Sequence, residues 1–155
     1  MDLFEKRRKG FTLIELLIVI VIIIILVGVG VPLSAGYITE RNVYNAATQV
    51  QQDLLLAQNL AITHSTTDKF KVTFSPSTNS YTVVTNEDST KKITRKLSSG
   101  LSFTVNFPGG VINFDNQGIP HPGGGVINIS NTSSTKVVTV TISTIGRVKI
   151  DWVTK

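Results

Sequence analysis

The sequence predicts an α+β chain, with one long N-terminal helix, transmembrane in its first half, packed on antiparallel β-sheets. Three observations carry this. Residues 11–35 form an apolar run with a single charge, Glu15. Residues 43–61 then place apolar and small side chains at helical spacing. From Lys69 onward the hydrophobic period falls to two.

The apolar run comes first. Leu16 to Leu33 is an 18-residue stretch of Leu, Ile and Val broken by Gly28, Gly30 and Pro32. As a helix it covers roughly 27 Å, about one hydrocarbon core. Lys6, Arg7, Arg8 and Lys9 precede it. That cluster favours a cytoplasmic start and leaves the rest of the chain outside. Pro32 removes a backbone donor and clashes with the preceding turn, so the helix is expected to kink or loosen over residues 28–32. The plainer alternative is a helix end at the membrane surface.

Three readings of this segment compete. A secretory signal would be cut after the apolar run, near Val31-Pro-Leu-Ser-Ala35. A plain signal anchor leaves Glu15 unexplained, since a carboxylate in a bilayer costs about 2.5–3.5 kcal/mol. A cut between Gly10 and Phe11 would give Phe11 a cationic amine. Glu15 then lies roughly 6 Å further along the helix axis, within reach of pairing in one chain or between chains.

After Gly36 and Tyr37, a second helical pattern runs through Val43, Ala46, Ala47, Val50, Leu54, Ala57, Leu60 and Ala61. Arg41, Asn45, Gln49, Gln52, Asp53 and Asn59 fall largely off this face. One long helix, or two in series, is expected from about Phe11 to about Ile62, ending at the polar Thr63–Thr67 breaker. Short strands are expected over 70–74, 81–85, 93–97, 101–107, 111–114, 126–129, 137–142 and 147–153. Turn signals separate them, among them Ser98-Ser-Gly100, Asn116-Gln-Gly118 and Ile145-Gly146. These amount to seven or eight antiparallel strands on one amphipathic helix.

Composition limits the functions available. The 155 residues contain no cysteine, so no disulfide or thiolate metal site exists. Net charge is +5. Beyond Gly36 the chain has 11 basic and 7 acidic side chains, too mild an excess to argue for nucleic acid by itself. No nucleophile elbow, phosphate loop or paired-histidine motif is present, so neither an enzyme nor a cofactor or metal is expected. His64 and His121 read as loop residues. Asp115-Asn116-Gln117-Gly118 reads as a turn, since carboxylates at the later calcium-ligand positions are missing. Pro122–Gly125 lacks a following helix and reads as a flexible loop. Asn128 and Asn131 fit the glycosylation pattern without further meaning.

Lys9-Gly10-Phe11-Thr12-Leu13-Ile14-Glu15-Leu16 resembles the class III signal of type IV prepilins and type II secretion pseudopilins. The resemblance implies cleavage after Gly10 by a membrane prepilin peptidase, N-methylation of Phe11 and an assembly role for Glu15 and for Pro32. It divides the chain into a leader (1–10), a transmembrane assembly segment (11–35) and an extracytoplasmic domain (36–155). Asp53-Leu54-Leu55-Leu56-Ala57-Gln58-Asn59-Leu60-Ala61-Ile62, Ile112–Pro120 and Gly146–Ile150 are similar to segments of the GspH/FimT minor pseudopilins and minor pilins. A pilin-like fold follows from that resemblance. So does a structural role in a secretion pseudopilus or pilus at the inner membrane, with other pilins as partners and no small-molecule substrate.

On the FimT side of that family, a C-terminal Gly-Arg-x-Arg element is associated with DNA. Arg147 and Lys149 occupy its basic positions, although Lys149 loses the bidentate fork. DNA is therefore the alternative partner, with Lys136 and Lys155 as candidate extensions of the patch. The simpler reading has Gly146 turning the chain and the charges keeping an outer face wet. Lys91, Lys92, Arg95 and Lys96 read as a solvated hairpin rim.

Overall fold

The computed structural model describes residues 10–132 and 136–154, without the side chains of residues 29–35 and of Thr154. Lys155 and the leader residues 1–9 lie outside this set. The chain divides into two compact units, Met1–Tyr37 and Ile38–Lys155.

One helix, α1 (Leu13–Thr63), supplies both units. In the first unit its side chains from Leu13 to Val27 are exposed and apolar apart from Glu15. Pro32 falls within the helix, and its side chain lies outside the described set. Among the described residues no helix is long and apolar enough to cross a membrane.

In the second unit, α1 buries Val43, Ala47, Val50, Leu54, Ala57 and Ala61. The steps of three and four put them on one face. The three alanines matter sterically, because small side chains let sheet residues approach the helix backbone.

Nine strands follow among the described residues, and all their pairings are antiparallel. β1 (Lys71–Ser75), β2 (Ser80–Val84), β3 (Lys92–Lys96), β5 (Val111–Phe114) and β6 (Pro120–His121) form one sheet in the order β3-β2-β1-β5-β6. β4 (Leu101–Val105), β7 (Gly125–Asn131), β8 (Lys136–Ile142) and β9 (Val148–Thr154) form the other in the order β4-β7-β8-β9. Inward residues alternate along each strand, as in Val72 and Phe74 or Val138, Val140 and Ile142.

One apolar cluster joins the helix stripe to both sheets through Phe70, Ile112, Phe114, Ile127 and Ile129. Phe74 of the first sheet packs within 5.7 Å of the Phe103 ring and 5.6 Å of the Phe107 ring.

Three expectations change. The 101–107 strand stops at Val105, and Phe107 sits in the following turn as a core residue. His121 belongs to the two-residue strand β6 rather than to a loop. Arg147 precedes β9 instead of opening it.

Candidate functional site

At the N-terminal end, Gly10 and Phe11 are exposed and precede the helix. Thr12 and Glu15 close a reciprocal cap. The Glu15 N–H donates to Thr12 Oγ1 at 3.2 Å. The Thr12 N–H donates to Glu15 Oε2 at 2.9 Å, and the Thr12 hydroxyl donates to the same oxygen at 3.0 Å. This is the Thr-x-x-Glu capping box, which satisfies helix N-terminal donors that otherwise lack partners. The Thr12-x-x-Glu15 spacing is readable in the sequence. The cap holds the carboxylate beside Thr12, one residue from the nitrogen that cleavage after Gly10 would free.

In the second unit, the three segments carrying the family resemblance meet at Gln58. Its Nε2 donates to Gly118 O at 2.8 Å and to Gly146 O at 2.9 Å. Gly118 lies in the β5–β6 turn and Gly146 in the β8–β9 turn, so one helix side chain ties a loop of each sheet. Both glycines have left-handed backbone, at φ +78° and +81°. A Cβ on Gly146 would also stand 2.6 Å from Gln58 Nε2. Glycine is therefore required there by conformation and by space.

Asp115 closes the first of these turns, as expected. Its Oδ1 accepts the N–H groups of Gln117 and Ile119, each at 2.8 Å. The Ile119 N–H chiefly, then that of Gln117 and the His121 ring nearby, hold its carboxyl below the usual carboxylate range.

Asp53 is a correction. Expected off the buried face, it is 3% exposed. Tyr81 Oη donates to its Oδ2 at 2.7 Å. Arg95 Nε donates to the same oxygen at 3.0 Å. Arg95 therefore reaches from the rim to Asp53 while its side chain stays partly in solvent, and Lys91, Lys92 and Lys96 are exposed as expected. Beside this pair lies an open cleft of about 300 Å³ lined by Asn42, Asn45 and Gln49 from the helix and by Lys96 and Ser98.

The basic residues near the C-terminus are only partly brought together. Arg147 and Lys149 are both exposed. Lys149 Nζ, however, is 2.7 Å from Asp151 Oδ1. Lys136 sits opposite Thr154, while Val148 sits opposite Ile142. Six residue steps of β8 therefore separate Lys136 from the Arg147 end, roughly 20 Å. Lys136 pairs instead with Glu40 at 2.9 Å. Lys155 lies outside the described residues. Among the described residues, no group of three or more His, Cys, Asp or Glu could hold a metal ion.

Residues 6–31 match the prokaryotic N-terminal methylation motif. No curated protein matches the chain in sequence. Among solved structures, the type IV minor pilin FimU of Pseudomonas aeruginosa aligns with a TM-score of 0.60 at 16% identity, covering 74% of this chain and 92% of its own. The minor pseudopilin EpsH from the Type 2 Secretion System of Vibrio cholerae aligns with a TM-score of 0.59 at 17% identity, covering 71% of this chain and 96% of its own. The chain thus carries the prokaryotic N-terminal methylation motif and has a fold like that of a type IV minor pilin and a minor pseudopilin. One of these similar structures is a pilus subunit and the other a secretion-system subunit, at nearly equal similarity.

Proposed function

We propose that the chain is a minor pseudopilin or minor pilin acting in protein secretion, a structural subunit without enzymatic activity. A prepilin peptidase cuts it after Gly10 and methylates Phe11. Residues 11–35 hold it in the cytoplasmic membrane as a single span, with residues 36–155 on the extracytoplasmic side. The mature subunit assembles with other pilins or pseudopilins.

The observation that supports this best is the methylation motif over residues 6–31. Energetics support the span. Leu16–Leu33, less Gly28, Gly30 and Pro32, leaves 15 Leu, Ile and Val residues. At about 0.3–0.6 kcal/mol each they favour insertion by roughly 5–9 kcal/mol. That exceeds the roughly 3 kcal/mol cost of Glu15 even if it reached the bilayer centre. Once cleavage frees the Phe11 amine, the capped Glu15 carboxylate is placed to pair with it or with a neighbouring subunit's amine, lowering the cost of both charges.

Mass spectrometry of the chain isolated from its own membranes tests the reading. A mature form starting at methylated Phe11 is expected, and Gly10→Ala should leave an uncut precursor. A chain still starting at Met1 would end the proposal, as would one starting beyond Ala35. Glu15→Ala should still be cut yet enter filaments poorly, and normal incorporation would remove the assembly role.

A further inference from the structure

At one edge of the second sheet, an aromatic pair stands out on the surface. Tyr44 of α1 and Trp152 of β9 stack with ring centroids 5.9 Å apart and planes 10° from parallel. Both stay partly open to solvent, at 43% and 47%, and the neighbouring Val153 is 48% exposed. Lys136 Nζ lies 6.0 Å from the Trp152 ring centre and is ion-paired with Glu40. A shallow concavity of about 340 Å³ joins Glu40, Lys136, Trp152 and Val153. Two amphipathic rings, a valine and a Lys136–Glu40 ion pair thus share one patch at the start of the second unit.

Their composition suits one environment. Tyr and Trp concentrate where hydrocarbon gives way to headgroups, because the ring body prefers lipid and the N–H or O–H prefers water. Lys136 can lay its stem along such a surface with its Glu40 ion pair at headgroup depth. The chain also limits how far the patch can go. Glu40 is five residues beyond Ala35, a reach of at most about 18 Å even when fully extended. However the two units are set, the patch stays tethered beside the membrane surface.

We infer that the Tyr44–Trp152–Lys136 patch docks onto the lipid interface of the bilayer that holds the chain. It is a second, reversible membrane contact of the folded domain. The inference rests on the proposed 11–35 span. Docking would hold the domain down on the bilayer and leave the rest of its surface available to neighbouring subunits.

Trp152 is the chain's single tryptophan, so its fluorescence reports on this patch alone. The test uses the full chain in vesicles of phosphatidylethanolamine and phosphatidylglycerol, with and without lipids brominated near the top of the acyl chains. Alkaline carbonate washing of the same vesicles scores the span separately. The expected result is a chain retained through the wash whose Trp152 emission shifts to shorter wavelength and drops in the brominated vesicles. A retained chain with water-exposed, bromide-insensitive emission would overturn the docking and leave the span standing. A shifted emission that bromide does not quench would also overturn it, showing the patch covered by protein. A chain washed away would overturn both.

Discussion

Arg95 Nε lies 3.0 Å from Asp53 Oδ2, binding edge strand β3 to the helix across 42 residues of sequence. The Asp53 side chain is almost fully buried, while that of Arg95 is 42% exposed. Removing the guanidinium would leave a buried carboxylate with Tyr81 as its one remaining partner among the described residues. A hydrogen bond to a charged group is worth about 1.5–3 kcal/mol, and solvent around Arg95 places it near the lower end. Arg95→Ala should therefore lower stability by about 1.5 kcal/mol in urea unfolding. Its effect should shrink when Asp53 is already Asn. Equal effects in both backgrounds would dissolve the coupling.

Tyr81 should make the fold sensitive to base. Burial first, and then the hydrogen bond to Asp53 with its charge, push the Tyr81 hydroxyl well above its usual range, with Arg95 offsetting part. The unfolded chain loses this proton once pH passes about 10, while the folded chain keeps it. The unfolded state then binds fewer protons, so stability falls as pH rises further. The urea midpoint should decline between about pH 9 and 11, and Tyr81→Phe should flatten that decline. Parallel declines would contradict the assignment.

Gln58→Ala should loosen two turns at once. Two neutral hydrogen bonds at about 0.5–1.5 kcal/mol each put the loss near 2 kcal/mol. The amides of Gly118 and Gly146, which donate to Asp115 O and Ser143 O, should exchange faster together. Faster exchange at one turn alone would show that the two are not coupled through this side chain.

Asp115 contributes on the acid side. Its carboxyl titrates lower when folded, so its stabilisation is complete above about pH 4 and is lost as pH falls through the folded value. Asp115→Asn keeps an oxygen for the Gln117 and Ile119 N–H groups and removes the titration. The melting temperature of the variant should fall less steeply below about pH 4. Identical acid slopes would assign the effect elsewhere.

DNA retention by the C-terminal strand should be weak. Lys149 is engaged by Asp151, and Lys136 stands at the far end of β8. Each phosphate contact steepens the log–log salt dependence by about 0.9 on duplex DNA. A salt titration should show a slope near one or below, and Arg147→Ala should abolish it. A slope of several units, lost with Arg147 and Lys149, would restore DNA as a partner.

Much of this architecture was legible because its signals are periodic. The Val43–Ala61 stripe and the alternation through Phe70, Val72 and Phe74 each repeat on the scale of one element. Gly118 and Gly146 were legible as turns, since positive φ selects glycine. Asp53 was not. On a helical wheel it borders the polar side, and only partners 28 and 42 residues away make it a buried residue. The Lys149–Asp151 pair was not legible either. Two basic residues in register look like a patch until an acid two positions on takes one of them. The two-residue β6 is too short to carry any period.

β9 meets the helix near the start of the second unit: Val148 O accepts from Gln51 Nε2 at 3.3 Å, and Trp152 rests on Tyr44. β9 is made about 100 residues after the helix segment it meets. Such distant contacts close late, because the intervening loop must be ordered first. The part of the helix that faces β9, around Tyr44 and Gln51, therefore stays uncovered until residues 148–152 are made. A ribosome stalled before residue 148 would leave that part of the helix open to chaperones and proteases.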